Sequence, residues 1–138
     1  MAFVTLCLAF SAFITPAGVG IDRYEVYLND KLLLKEYAMK EVSLKSLQLG
    51  KASPDDKLTV YYIHCHGKAA GTGRSITVKD ANGKKLKEWK FANAAGEKAG
   101  MVIMVKELLQ LEKNNSGSQL TMYYASEELP GGQLLASL

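Results

Sequence analysis

The sequence predicts an antiparallel β-sandwich of about eight or nine strands, built from two similar four-stranded units related by a pseudo-twofold axis. Three observations predict it. Polar and apolar residues alternate over short stretches bounded by turn residues. Long amphipathic helices are scarce. Two blocks of sequence recur at a fixed offset of 62 residues. A chain of 138 residues, 48% hydrophobic and 22% charged, suits one domain. This composition excludes a mainly disordered or collagen-like chain, and two cysteines exclude a disulfide scaffold. A net charge of +3 is too mild to point to nucleic acid or to an anionic membrane surface.

Residues 1–14 read MAFVTLCLAFSAFI, broken only by Thr5 and Ser11, and the first charge in the chain is Asp22. The run falls short of the ~20 residues of a membrane span. It suits the apolar region of a secretory signal peptide over 1–17, with Thr15-Pro16-Ala17 as a small-residue cleavage site. No Lys or Arg precedes the run, and a buried first strand is the competing reading. A lipid anchor on Cys7 is disfavoured, because Val4-Thr5-Leu6 places no small residue before it. With the leader removed, residues 18–138 form the single β-sandwich domain, extracellular or periplasmic, with Cys65 as its one cysteine.

Within that domain the strands come in order. Residues 23–28 alternate, and Asn29-Asp30 tolerates the positive φ of a tight turn into 31–37. Residues 57–65 form the next strand. A second hairpin joins 74–79 to 84–91 through Asp80-Ala81-Asn82-Gly83, with Asn-Gly as the turn signal. Trp89 and Phe91 share a face and are expected to point into the core. Strands at 101–105, 119–125 and 133–138 complete the set. Residues 107–111 and 45–49 have room for one helical turn each, and one helix over 100–113 is the competing reading.

The repeat aligns Leu47-Gln48-Leu49 with Leu109-Gln110-Leu111, and Leu58-Thr59-Val60-Tyr61-Tyr62 with Leu120-Thr121-Met122-Tyr123-Tyr124. The units are 21–66 and 74–128, each read as hairpin, loop, a short strand ending in Leu-Gln-Leu, turn, and a strand carrying Tyr-Tyr. The last strand is expected to take, after the second copy, the place of 74–78 after the first. Two such units would bury their apolar faces against each other.

Features unique to one copy are the better functional candidates. Both histidines, the mature cysteine and one of two arginines fall within 64–74. On a strand, His64 and His66 share a face and Cys65 takes the other. The cluster His64, Cys65, His66 is the candidate copper or zinc site, or a thiol-reactive one, although a stable site wants a third ligand on one side. Catalytic patterns such as Gly-x-Ser-x-Gly and Cys-x-x-Cys are absent, and the expectation is no enzymatic activity and no cofactor. Gly67 to Gly73 lacks the Gly-Lys-Ser/Thr ending of a phosphate loop and reads as a plain loop.

Lys79, Lys84, Lys85, Lys87 and Lys90 crowd one hairpin into a candidate basic patch. If Leu58, Val60 and Tyr62 face inward, then Tyr61, Ile63 and Cys65 face outward, joined by Tyr123 from the second copy. That stripe is raw material for protein or carbohydrate recognition. The candidate ligand residues are Tyr61, Ile63, Tyr123, Arg74, Lys85 and Lys87. The expected function is a non-catalytic binding module for a protein or glycan at the cell envelope. A metal-binding protein and a structural subunit of a surface assembly are the alternatives, and unpaired β-edges leave self-association open.

Overall fold

The computed structural model describes residues 22–38, 45–65, 71–96 and 99–138. The expected leader at 1–17, His66 and most of the glycine-rich loop fall outside the described residues. The elements are β1 (Arg23–Leu28), β2 (Lys31–Tyr37), β3 (Lys57–Ile63), β4 (Ser75–Lys79), β5 (Lys85–Lys90), β6 (Met101–Met104), α1 (Val105–Asn114), β7 (Thr121–Ser126) and β8 (Leu129–Ser137). The strands form two four-stranded antiparallel sheets packed face to face. Sheet A runs β2-β1-β3-β6 and sheet B runs β5-β4-β7-β8. Among the described residues, no helix is long and apolar enough to cross a membrane.

The two hairpins form as the turn chemistry predicts. Asn29 carries a φ of 52°, and Leu28 pairs with Lys31. Gly83 supplies a φ of 79°, while the Asp80 carboxylate accepts the N–H groups of Asn82 and Lys84 at 2.9 Å. The Tyr-Tyr strands hold corresponding places. β3 lies beside β1 as β7 lies beside β4, and burial alternates identically along both. Leu58, Val60 and Tyr62 therefore meet Leu120, Met122 and Tyr124 in one core, with Tyr24, Val26, Ile76 and Val78. Burial of these apolar groups is the main stabilising term of the sandwich.

Three expectations are corrected. Leu-Gln-Leu is not a strand end in either copy. Leu47 and Leu49 are both buried in an extended segment that bridges β8, with the Leu47 N–H donating to the Ser137 carbonyl at 2.8 Å. Their counterparts Leu109 and Leu111 sit inside α1. The strand expected at 101–105 forms as β6 and pairs with β3, but the single helical turn expected at 107–111 is a ten-residue helix, α1, that follows β6 directly, and the competing helix over 100–113 does not form. Finally, the last strand begins at Leu129. It returns through Glu127-Glu128 as a hairpin onto β7, whereas β4 opens the other sheet after β3. Pro130 is tolerated because β8 lies at the sheet margin, where a missing N–H is cheap. Each sheet thus has four strands, but β6 of the second sequence unit completes the sheet begun by the first.

α1 has no side-chain cap at Met104. Its first N–H groups find carbonyls in the 54–56 turn instead, Val105 to Asp56 at 3.0 Å and Lys106 to Pro54 at 3.2 Å. From there the helix reaches β5. Glu107 accepts from the Trp89 indole at 3.2 Å and from Lys87 at 3.0 Å. Trp89 and Phe91 pack against the core, partly buried.

Candidate functional site

Two regions gather the chemistry-bearing side chains. The first is a buried polar network at the end of β3. Alternation carries past Ile63, so His64 turns inward, with its side chain 2% exposed. Its Nε2 lies 3.0 Å from the Tyr124 hydroxyl and its Nδ1 lies 3.4 Å from Asp22 Oδ2. Asp22 also accepts the Tyr62 hydroxyl at 3.1 Å and the Cys65 N–H at 2.7 Å. Burial alone would raise the Asp22 pKa. Hydrogen bonds from the Cys65 backbone and thiol and from Tyr62, together with the neighbouring His64, outweigh it and leave the carboxyl below its ordinary value.

Aromatic stacking seats this network. The rings of Tyr62 and Tyr124 lie 4.0 Å apart across the two sheets, at 17°. Tyr24, the cross-strand neighbour of Tyr62, stacks with it at 6.4 Å and donates its hydroxyl to the Leu135 carbonyl at 2.9 Å. Desolvation raises all three phenols, and pushes Tyr24 up to about 12 with help from Glu36. Asp22, His64 and Tyr124 line up in the order of a charge relay. Tyr124 is fully buried, and the arrangement ties the two sheets together.

Each expected metal or thiol residue can be placed against this geometry. The expected opposite faces for His64 and Cys65 do not hold, because β3 ends at Ile63: both converge on Asp22, and both ring nitrogens of His64 face protein oxygens. Among the described residues, no group of three or more His, Cys, Asp or Glu is arranged to hold a metal ion. Asp22 was the missing member of the cluster. Its only sequence signal is that it opens the charged part of the chain.

Arg74 departs from its expected role at the surface. It is 5% exposed, and its guanidinium donates to the carbonyls of Ala92 at 2.9 Å and Ala99 at 2.7 Å. It ties two connecting segments together. The adjacent Thr72 donates its backbone N–H and its hydroxyl to Glu128, which holds that carboxyl down at about 2. The lysine patch is also partly neutralised. Lys85 pairs with Glu88, Lys87 pairs with Glu107, and Lys79 lies 4.6 Å over the Tyr123 ring.

The second region is the outer face of sheet A. Parity at Tyr61 and Ile63 is as expected, outward. Tyr123 is outward too, but on sheet B. Because the two sheets pack by their inner faces, Tyr61 and Tyr123 lie on opposite sides of the molecule, and the expected single stripe is two separate surfaces. Register then assembles the sheet A surface. Leu32, Tyr27, Thr59 and Val102 make a row across all four strands, and Tyr37, Arg23 and Ile63 make another. Among the described residues, the exposed large hydrophobics are Leu32, Tyr37 and Val102, at 45%, 53% and 47%, and all three belong to this face.

Around Tyr27 of the first row, reaching into the β1–β2 turn, lies a cleft of about 230 Å³ lined by Glu25, Tyr27, Asn29, Asp30 and Tyr61. The rings of Tyr27 and Tyr61 meet at 89° with centroids 5.6 Å apart. Tyr27 donates its hydroxyl to Glu25 at 3.1 Å, and desolvation followed by that carboxylate raises the Tyr27 pKa. Asn29 is locked at the rim: its Nδ2 donates to Asp56 at 3.0 Å and its Oδ1 accepts the Lys57 N–H at 3.0 Å. Gly100 lets Tyr61 lie close to the start of β6, since a Cβ there would fall 3.1 Å from the ring. Sequence reasoning found Tyr61 and missed Tyr27, Glu25 and Asp30, because their adjacency depends on β1 pairing with β3.

Comparison of the chain with protein-family models, with curated proteins and with solved structures gives no match.

Proposed function

We propose that the protein is a non-catalytic, extracytoplasmic binding module whose recognition surface is the outer face of sheet A. The observation that carries this reading is the segregation of exposed apolar groups. Leu32, Tyr37 and Val102 share one face with Tyr27, Tyr61 and Ile63. The opposite face presents Thr77, Lys79 over Tyr123, and the Lys85–Glu88 pair. Exposed apolar groups gathered on one side of a small domain, among the charged Arg23, Glu25 and Lys35, mark a contact surface. Its aliphatic members favour a protein partner over a glycan, which needs an aromatic platform rimmed by hydrogen-bonding groups. The apolar stretch 1–14 supports the extracytoplasmic part of the reading.

The test compares Leu32→Ser/Val102→Ser with Tyr123→Ala, both first checked for wild-type folding by circular dichroism. Crosslinking in a native envelope extract is expected to join wild type and Tyr123→Ala to the same protein, and to lose it in the double variant. Equal crosslinking by all three sinks the proposal. Glycan-array binding that the double variant abolishes would replace the protein partner with a sugar. A wild-type oligomer dissolved by the same variant would replace it with a second copy of the chain.

A further inference from the structure

We infer that the cleft between Tyr27 and Tyr61 is a receptor for an ammonium group, and that the protein partner places a lysine side chain in it. This deepens the reading of sheet A as a recognition surface and rests on it. The first support is shape. The two phenol rings meet edge to face at 89° and both line the cleft, and a ring face carries the negative end of its quadrupole. A cation seated against the ring face that the partner's edge leaves open gains a cation–π contact there.

The second support is charge. Glu25 and Asp30 line the same cleft, and among the described residues no Lys or Arg side chain lines it with them. A neutral guest would leave Glu25 to Lys35 and the Tyr27 hydroxyl and add nothing to Asp30, whereas an ammonium meets both carboxylates while its methylene stem lies along the apolar row. Lys35 is the competing cation. Its Nζ stands 3.9 Å from Glu25 and its side chain is half exposed, so it offsets part of the charge without lining the cleft. The third support is preorganisation. Asn29 at the rim is tied to Asp56 and Lys57, and Tyr61 is seated beside Gly100, so little ordering is left for binding.

The experiment titrates the full chain with Nα-acetyl-lysine methylamide, its Nε-trimethyl form and its neutral Nε-acetyl form. Tyrosine ring resonances in NMR spectra provide the readout. Shifts at Tyr27 and Tyr61 are expected with the two cationic probes, and none with the acetylated one. Tyr61→Ala should weaken binding roughly tenfold, and Glu25→Gln severalfold. Lys35→Met should tighten it, an effect that a merely structural role for Glu25 would not produce. Equal binding of the acetylated probe, or no shift with any probe, overturns the inference. Choline binding without either lysine probe also overturns it, assigning the cleft to a small quaternary ligand. If the probes fail while crosslinking still depends on Leu32 and Val102, the surface stands and the cation falls.

Discussion

Replacing Asp22 by Ala is the sharpest perturbation of the buried network. The Tyr62 hydroxyl and the Cys65 N–H would both lose their acceptor, and Tyr62 is only 4% exposed. Each buried donor left without a partner costs ~1–3 kcal/mol, so the loss of both acceptors should cost the variant about 2–6 kcal/mol. That is a large share of the ~5–15 kcal/mol that holds a typical domain folded. Tyr62→Phe makes the instructive contrast. It removes the donor together with its need for a partner, and Asp22 keeps the Cys65 N–H and thiol, so the expected cost is about 1 kcal/mol. Urea unfolding at pH 7, with the denaturant slope unchanged, measures both. The sign with pH follows from the lowered Asp22 pKa. Its contribution is present above the unfolded carboxyl value of about 4 and is lost as pH falls through the folded value. Asp22→Ala should not show that loss. A cost for Asp22→Ala no larger than that for Tyr62→Phe would refute the reasoning.

Further outcomes follow from the same geometry. Tyr61→Ala and Tyr123→Ala should each cost under about 1 kcal/mol, because both rings lie on outer faces, whereas Tyr124→Ala should cost about 3–5 kcal/mol. Thermal melts rank them, and unfolding by either outer variant would place its ring in the core. Gly100→Ala places a Cβ 2.8 Å from Thr59 Cγ2 and 3.1 Å from Tyr61, so the Tyr61 resonances should move while the fold persists. An unmoved ring would show that Gly100 does not seat it. Glu128 titrates at about 2, well below an ordinary glutamate, so its hydrogen bonds to Thr72 stabilise the fold above about pH 4.5. Thr72→Val should return that carboxyl toward its ordinary value in a carbon-detected titration, and an unchanged value would exclude Thr72 as the cause.

The amount legible beforehand varied from element to element for physical reasons. Hairpins at Asn29-Asp30 and at 80–83 depend on local backbone preferences, and sequence reasoning places them correctly. α1 was harder, because its start has no capping side chain and is completed by carbonyls of the distant 54–56 turn. Leu-Gln-Leu shows the limit of matching by sequence alone. Alternation buries Leu47 and Leu49 in an extended segment, while the same three residues near the end of α1 obey a helical period.

Strand existence, turn positions and the placing of Leu58, Val60 and Tyr62 on one strand face were determined by the sequence itself. They depend on side-chain alternation and on φ preferences, which act within a few residues. Only the tertiary structure decided which strands are neighbours. That choice sent Tyr61 and Tyr123 to opposite faces, brought Tyr27 and Glu25 beside Tyr61, and turned Arg74 inward onto two carbonyls. It also joined Asp22 to His64 across more than forty residues. Such pairings are selected by the burial of whole faces and by the satisfaction of buried polar groups. Both are properties of the assembled core, and neither leaves a mark within any one strand.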